Sequence, residues 1–294
     1  MIRVLITGAN SFVGTNIEQW LQKEPEKYAV DTVDTMNYEW TKCNFANYDV
    51  VFHVAGIAHV DPKPSMASLY YKVNRDLTLD IARYAKEKGV KQFIYMSSKI
   101  VYHASKSLKG DIVTPETEPV PNDFYGDSKL QAEKGLKELE CDTFKVAIIR
   151  PPIIYGPNSK GNFLRLGWLA TKTPIFPAWH NKRSMIFIDN LAEFVKNLID
   201  REMNGIFYPQ NKELTDVVEI VSFFAHKYNK RIWISRIFNP LVWLGSFFLK
   251  PLPKMFSDSY YVPEMSKYDF DYQLVSFEDS LKELEITEAN RRMK

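Results

Sequence analysis

Tyr125 and Lys129 are the first residues whose types and spacing invite a chemical interpretation. They lie in the stretch VPNDFYGDSKLQAEKG, residues 120–135, where the pattern predicts the start of a helix. Side chains four positions apart share one face of a helix, so the phenol and the ammonium can reach the same small volume. An isolated YxxxK spacing is also typical of an ordinary pair on a surface helix, so the rest of the chain has to decide between the two interpretations.

A glycine-containing turn lies in LITGANSFVGTNI, residues 5–17, where Gly8, Ser11 and Gly14 occupy the three positions of a GxxGxxG motif between a predicted strand and helix. Glycines in such a turn let the backbone approach a pyrophosphate, and the helix N-terminus supplies free N–H groups and a partial positive charge. Ser11 replaces the middle glycine, but a small residue still fits and its hydroxyl can donate to a phosphate. The turn predicts a dinucleotide site, with a purely structural turn as the alternative.

Asp34 closes the second predicted strand, where a carboxylate can accept hydrogen bonds from both hydroxyls of an adenosine ribose. The residues that follow, TMNYEW, contain no Arg or Lys to meet a 2′-phosphate. This favours NAD over NADP as the cofactor. A solvated turn residue is the alternative interpretation of Asp34.

Strand and helix patterns alternate along the N-terminal half and must position these residues. Short β-branched runs such as RVLITGA, DVVFHVAG and FKVAIIRPP alternate with helical stretches such as NRDLTLDIARYAKEKGV, which Gly89 closes. This alternation predicts an α/β fold with a doubly wound parallel, Rossmann-like sheet and a smaller, mainly C-terminal substrate-binding region. We expect residues 1–156 to form the cofactor domain, with 184–200 returning to it, and residues 157–183 and 201–294 to form the substrate region.

The composition argues against several classes of function. The chain has 294 residues and a formal net charge of +2 with both signs interspersed, so it has no electrostatic footprint for nucleic acid. Cys43 and Cys141 are far apart, and neither they nor the five histidines show metal-ligand spacing, so we expect no metal site. The N-terminus MIRVLITGAN lacks the pattern of a signal peptide, and we expect a cytoplasmic protein.

Five motifs in order, TGANSFVG, HVAG, YMSSKIVY, YGDSK and IIRPPIIYGPN, resemble the extended short-chain dehydrogenase/reductase superfamily, and specifically its nucleotide-sugar epimerase/dehydratase branch. The resemblance runs from residue 1 to about residue 200, and KRSMIFIDNL resembles the segment that those enzymes place under the nucleotide of a UDP-sugar. It implies an NAD cofactor, a UDP-sugar substrate and a homodimer formed through the helices after Asn74 and Tyr125. The implied cofactor-binding residues are Gly8, Asn10, Ser11, Phe12, Val13, Gly14, Asp34, Val54, Ala55, Gly56, Asn74, Tyr125, Lys129 and Pro152.

The resemblance also assigns catalytic roles. Tyr125 is implied as the acid/base, Lys129 lowers its pKa and holds the nicotinamide ribose, and Ser98 hydrogen-bonds the same substrate oxygen. Lowering a phenol pKa from about 10 to about 7 costs roughly 4 kcal/mol, which a nearby ammonium and a cationic nicotinamide can supply. Ser98, Asn162 and Arg183 are the implied substrate-binding residues, and a planar Arg fork suits a diphosphate.

The residues after Ser98 bear on the type of reaction. Dehydratases of this branch carry an acidic pair directly after the catalytic hydroxyl, whereas this chain has Lys99 and Ile100, which disfavours elimination of water. Two hydride reactions remain: an NAD-dependent 4-epimerase of a UDP-hexose or UDP-N-acetylhexosamine, which we favour because of Asp34, and an NAD(P)H-dependent 4-ketoreductase of a UDP-4-keto-6-deoxy-hexose in surface-polysaccharide synthesis. A catalytically silent nucleotide-binding regulator is a third class, but Ser98, Tyr125 and Lys129 are all retained.

The segment RIFNPLVWLGSFFLKPLPKMF, residues 236–256, is apolar and flanked by bases. Pro240, Gly245 and Pro251 keep every uninterrupted part of it shorter than the ~20 apolar residues that a membrane span needs. We therefore expect no membrane span and favour a lid or core helix. An element lying on a membrane surface is the alternative.

Overall fold

The structure, a computed structural model, describes residues 1–58, 64–103, 107–159, 162–249 and 251–286, without the side chains of Asn37, Glu39 and Asn162. Its strands are β1 Ile2–Thr7, β2 Tyr28–Val33, β3 Val50–His53, β4 Gln92–Met96, β5 Asp111–Val113, β6 Lys145–Ile149, β7 Ile153–Tyr155, β8 Ile175–Pro177, β9 Met185–Phe187, β10 Gly205–Phe207, β11 Trp233–Ser235 and β12 Ser259–Tyr261.

The α-helices are α1 Phe12–Leu21, α2 Ala67–Tyr70, α3 Leu77–Glu87, α4 Phe124–Leu139, α5 Asn162–Lys172, α6 Ile188–Asp200, α7 Val217–Lys227, α8 Asn239–Gly245, α9 Pro251–Phe256 and α10 Phe277–Lys282. A π-helical turn, Tyr71–Asp76, joins α2 to α3. Short 3₁₀ turns span Met36–Lys42, Phe45–Asn47, Pro64–Met66, Lys99–Val101, Arg236–Phe238 and Pro263–Ser266. In the described part of the chain, none of the helices combines the length and the apolar character needed to cross a bilayer.

Six parallel strands form the central sheet in the order β10-β6-β4-β3-β1-β2. Strand β1 shows why it is covered on both faces: Val4 and Ile6 pack with Ile17 of α1, whereas Leu5 packs with Ile81 of α3. Side chains alternate across a strand, so an uninterrupted apolar run requires a hydrophobic layer on each side. The predicted doubly wound parallel sheet is confirmed.

Two strands depart from the predicted division of the chain. β10, from the stretch assigned to the substrate region, pairs with β6 at the edge of the main sheet. β9, in the stretch 184–200 expected to return to the cofactor domain, pairs with β7 in a separate two-stranded sheet. The helix that follows β9, α6, does return, because it packs against α1 on the main sheet. Three-residue strands carry too little periodicity to be assigned to a sheet from sequence.

The carboxyl ends of β1, β3 and β4 lie at one edge of the sheet, since these strands are parallel neighbours. Gly8 follows β1, Val54–Gly56 follow β3, and Ser97 and Ser98 follow β4. Open α/β sheets bind their ligands at this edge. Two further pairings, β12 with β5 and β11 with β8, join C-terminal segments to earlier parts of the chain, and Asp111 of β5 and Ser259 of β12 line the cavity at this end of the sheet.

Candidate active site

The turn after β1 is shaped for a close approach of backbone. Gly8 has φ +112°, and a Cβ there would lie 2.8 Å from the backbone nitrogen of Ala55, so a side chain is excluded on both grounds. Ser11 is the N-cap of α1, and its Oγ accepts a hydrogen bond from the Gly14 N–H at 3.0 Å. The serine at the middle position of the motif therefore caps the helix whose N-terminus faces the site.

Asp34 stands beside this turn. The Gly8 N–H donates to the Val33 carbonyl at 3.0 Å, which brings the residue after β2 next to the glycine turn. The side chain of Asp34 is exposed, and its Oδ1 accepts a hydrogen bond from the Met36 N–H at 2.8 Å. An exposed carboxylate beside a glycine turn and a helix N-terminus has the chemistry to accept from a ribose diol.

The side chains of Asn74 and Lys129 pack against the loop that follows β3. A Cβ on Gly56 would lie 3.0 Å from Asn74 Oδ1 and 3.3 Å from Lys129 Nζ, so only glycine fits without a shift. Asn74, in the π-helical turn, accepts from the Ile57 N–H at 2.8 Å and donates to the Ile57 carbonyl at 3.2 Å. Asn74 is fully buried, so it positions this loop. Single π turns are frequent at functional sites.

Tyr125 and Ser98 form the centre of the site. Tyr125 lies in the first turn of α4, whose N-cap Asp123 accepts from the Gly126 N–H at 2.8 Å. Ser98 and Tyr125 line the same cavity, and Ser98 Oγ accepts from the Ile100 N–H at 3.2 Å. Burial raises the pKa of Tyr125 to about 12, and among the described residues the Ser98 hydroxyl acts to lower it. The lowered pKa expected for Tyr125 is therefore not produced by the described residues themselves.

Lys129 lies one helical turn further along α4. Its Nζ donates to the Met96 carbonyl at 2.8 Å and sits 4.7 Å from the centroid of the Tyr95 ring. Burial lowers the pKa of Lys129 to about 8, and the carboxylate of Glu133 acts in the opposite direction. The ammonium points at the loop around Gly56, which suits it to hold a ribose hydroxyl.

A buried ion pair supports these residues from below. Arg150 Nη2 lies 2.6 Å from Glu133 Oε2, and the Ser97 hydroxyl also hydrogen-bonds to Glu133. Arg150 Nη1 donates to the Tyr102 hydroxyl at 2.8 Å. The ends of β4 and β6 are thereby joined to the middle of α4, next to Ser98 and Lys129. The position of Glu133, four residues after Lys129 on the same helix face, is the sequence signal that could have placed this carboxylate next to Lys129.

A cavity of about 600 Å³ opens above the sheet edge. It brings together the predicted residues Ser11, Phe12, Val13, Val54, Gly56, Ser98, Tyr125, Lys129, Pro152 and Arg183. Gly8, Asn10, Gly14, Asp34, Ala55 and Asn74 lie in the turns and helices that frame this cavity, whereas the side chain of Asn162 lies outside the described part of the chain. The glycine positions that a Cβ would fill, the helix N-terminus and Lys129 fit a dinucleotide such as NAD.

Two cations line the same cavity. Arg183 is half-buried, and its Nη1 donates to the carbonyls of Lys254 at 2.7 Å and Met255 at 3.1 Å. Lys99 Nζ donates to Ser259 Oγ at 3.0 Å. Burial lowers the pKa of Lys99 to about 8, Asp111 acts to raise it, and Arg183 lowers it further. From the sequence, Lys99 was considered only because it stands where a dehydratase carries a carboxylate. In the structure Lys99 and Arg183 line one cavity, so two cations there have the chemistry to bind an anion.

His53, at the end of β3, is a structural residue. It is fully buried, and its ring nitrogens are hydrogen-bonded to Thr7 Oγ1 at 2.6 Å and Thr78 Oγ1 at 3.0 Å. Burial lowers the pKa of His53 to about 3, so the ring stays neutral. It links β1 and β3 to α3 beneath the cofactor turn.

Comparisons with known proteins agree with this geometry. The model of the NAD dependent epimerase/dehydratase family matches residues 4–206. The chain is 34% identical over 253 residues to a UDP-glucose 4-epimerase of Vibrio cholerae, covering 78% of this chain and 77% of that protein. It is 29% identical over 278 residues to an N-acetyl-alpha-D-glucosaminyl-diphospho-ditrans,octacis-undecaprenol 4-epimerase of Escherichia coli O157:H7, covering 88% and 82% of the two chains.

A solved structure shares the fold. The UDP-glucuronic acid 4-epimerase from Bacillus cereus in complex with NAD superposes with a TM-score of 0.72 at 20% identity, over 96% of this chain and 97% of that chain. At this identity the likeness concerns the fold.

Proposed function

The chain belongs to the NAD dependent epimerase/dehydratase family, its cofactor is NAD, and we propose that it is a 4-epimerase of a UDP-hexose or UDP-N-acetylhexosamine. The family expected from the motifs and its assignment as an enzyme are confirmed. The observation that carries the reaction is that Ser98, Tyr125 and Lys129 line one cavity.

The roles follow from position. The glycine turn, the N-terminus of α1 and Lys129 would hold NAD, which supplies the hydride acceptor and a positive charge at the reacting carbon. Tyr125 Oη takes the proton from the sugar C4 hydroxyl and later returns it, while Ser98 Oγ hydrogen-bonds the same oxygen. Because burial holds the pKa of Tyr125 at about 12, the phenolate needs nearby positive charge to form. Lys99 and Arg183 suit the diphosphate, and neither can replace the carboxylates of a dehydratase.

The substrate carrier has a second candidate. A relative covering most of the chain is named for an N-acetylglucosaminyl diphosphate carried on undecaprenol. Its sugar diphosphate end shares the chemistry that Lys99 and Arg183 would recognise. The exposed apolar residues between Trp233 and Leu249 favour this candidate, because a polyprenol is held in a membrane. Both substrates use the same C4 reaction.

The test follows hydride and cofactor together. UDP-glucose or UDP-N-acetylglucosamine deuterated at C4 is incubated with the enzyme and NAD, without reductant, and we expect the galacto product with the label retained. Tyr125→Phe should turn over at least a thousandfold more slowly while binding NAD within a few-fold of wild type, because only the transferable proton is lost. Absence of interconversion, with stoichiometric oxidation of reduced cofactor by a UDP-4-keto-6-deoxy-hexose, would identify the 4-ketoreductase instead.

A further inference from the structure

An apolar surface projects from the segment 233–249. Among the described residues, 17 large apolar side chains are exposed, and eight of them fall within these 17 positions. Phe248 is 78% exposed and Ile237 67% exposed, while Val242 is the buried residue of α8. Of the lid or core helix predicted from the sequence, the core helix is therefore wrong for α8, which attaches to the protein through Val242 and turns its other apolar residues outwards. A patch of this kind marks an interaction site.

The aromatic rings on this surface are mutually arranged. The rings of Trp243 and Phe247 are 5.2 Å apart edge to face, and those of Trp233 and Phe238 are also 5.2 Å apart. Trp233 on β11 pairs with Ile175 on β8, which is itself 44% exposed and extends the apolar area across the small sheet. Exposed Trp and Phe side chains grouped in this way are typical of proteins that insert into the interface of a bilayer.

Charge complementarity identifies the partner. Residues 230–256 contain five Lys and Arg and no Asp or Glu. Lys230, Arg231, Arg236 and Lys254, all exposed, flank the apolar surface. Protein interfaces are depleted in Lys, whereas basic residues beside Trp, Phe and Leu are the composition of elements that bind anionic lipid.

The surface is continuous with the active site. A Cβ on Gly245 of α8 would lie 2.7 Å from the Leu252 side chain of α9, so these two helices are in close contact. The carbonyls of Lys254 and Met255 in α9 accept the hydrogen bonds of Arg183, which lines the cavity. A partner docked on this surface is therefore separated from Arg183 in the cavity by the single helix α9.

We propose that the apolar surface of residues 233–249 docks the protein on an anionic membrane, with the diphosphate end of its active site next to the lipid headgroups. No step of the reaction is needed for this docking, so it holds for either substrate carrier. The lipid recognised is an anionic phospholipid: the basic residues bind its headgroups, and the aromatic residues enter the boundary between headgroups and acyl chains.

The experiment is co-sedimentation of the full chain with vesicles of phosphatidylglycerol and phosphatidylethanolamine, compared with phosphatidylcholine alone. We expect at least tenfold tighter binding to the anionic vesicles, equivalent to about 1.4 kcal/mol. The triple variant Trp243→Ser, Phe247→Ser, Phe248→Ser should lose at least tenfold of this affinity. The matched control Val120→Ser, Leu274→Ser changes side chains that are 61% and 53% exposed elsewhere and should bind within twofold of wild type.

Further measurements separate docking from catalysis and from other partners. Arg231→Gln with Arg236→Gln should bring binding to anionic vesicles close to the level on phosphatidylcholine. NAD affinity, the melting temperature and turnover of a water-soluble UDP-sugar should stay unchanged in the triple variant, so loss of the reaction and loss of docking are distinguishable. Equal vesicle binding by wild type and the triple variant would overturn the proposal. The proposal would also be overturned if wild type did not bind vesicles and its sedimentation coefficient differed from that of the triple variant. That result would identify the surface as an interface between copies of the chain.

Discussion

Gly126→Ala should uncouple the catalytic pair without unfolding the protein. A Cβ at this position would lie 2.5 Å from the Ile100 carbonyl oxygen and 2.8 Å from Pro121 Cβ. An ordinary contact begins at 3.4 Å, so the start of α4 and the loop after Ser98 must separate by about 0.9 Å. That displacement moves the Tyr125 hydroxyl away from Ser98, and two hydroxyls can share one substrate oxygen only if each lies about 2.5–3.0 Å from it. A misplacement of about 1 Å costs on the order of 100-fold in rate, or about 2.7 kcal/mol of transition-state stabilisation.

The matched control is Gly135→Ala on the same helix. There the added Cβ meets the methyl groups of Leu79 at 2.7 and 2.9 Å, the movable end of a partly exposed side chain. Alanine favours a helix over glycine by about 1 kcal/mol, so this variant should be at least as stable as wild type and as active. The assay is kcat for the UDP-sugar that wild type epimerises, with thermal unfolding and NAD titration of each variant. Turnover of Gly126→Ala within threefold of wild type would refute the argument from backbone contact.

Three further predictions concern cofactor choice, stability and pH. Wild type should bind NAD at least tenfold tighter than NADP, about 1.4 kcal/mol, and calorimetry of Asp34→Ala should show a smaller preference; equal affinities in wild type would contradict the role of Asp34. Glu133→Gln leaves the buried guanidinium of Arg150 without its carboxylate, so the free energy of unfolding should fall by about 3–5 kcal/mol in denaturant titration, and an unchanged midpoint would refute this. Burial lowers the pKa of Lys99 to about 8, so its charge is present below pH 8 and lost above it, and kcat/KM should fall between pH 7 and 9. Because the pKa of Lys129 is also about 8, Lys99→Met should remove only part of that fall, and a pH profile identical to wild type would exclude Lys99 from substrate binding.

The parts of this protein that depend on local periodicity could be predicted from its amino-acid sequence. Alternating strand and helix patterns specified the parallel sheet, because a strand buried on both faces must be apolar along its whole length. The spacing of Tyr125 and Lys129 placed both on one face of α4, since the helical repeat fixes which residues are neighbours. The turn at Gly8 could be predicted as well. A positive φ beside a closely packed backbone is a conformation that glycine alone fits, so a glycine directly after a strand indicates such a turn.

The way in which distant segments complete the site depends on the three-dimensional fold. Lys99 meets Ser259 across 160 residues, and Arg183 meets Lys254 across 71, through the pairing of β5 with β12 and the placement of α9. Short strands and irregular loops make these contacts, and no periodicity in the sequence predicts them. The same holds for α8: its apolar sequence fits a core helix as well as a surface one. The exposure of α8 depends on how much of its surface the neighbouring elements cover. Here they cover Val242 and leave the other large apolar side chains of α8 in solvent.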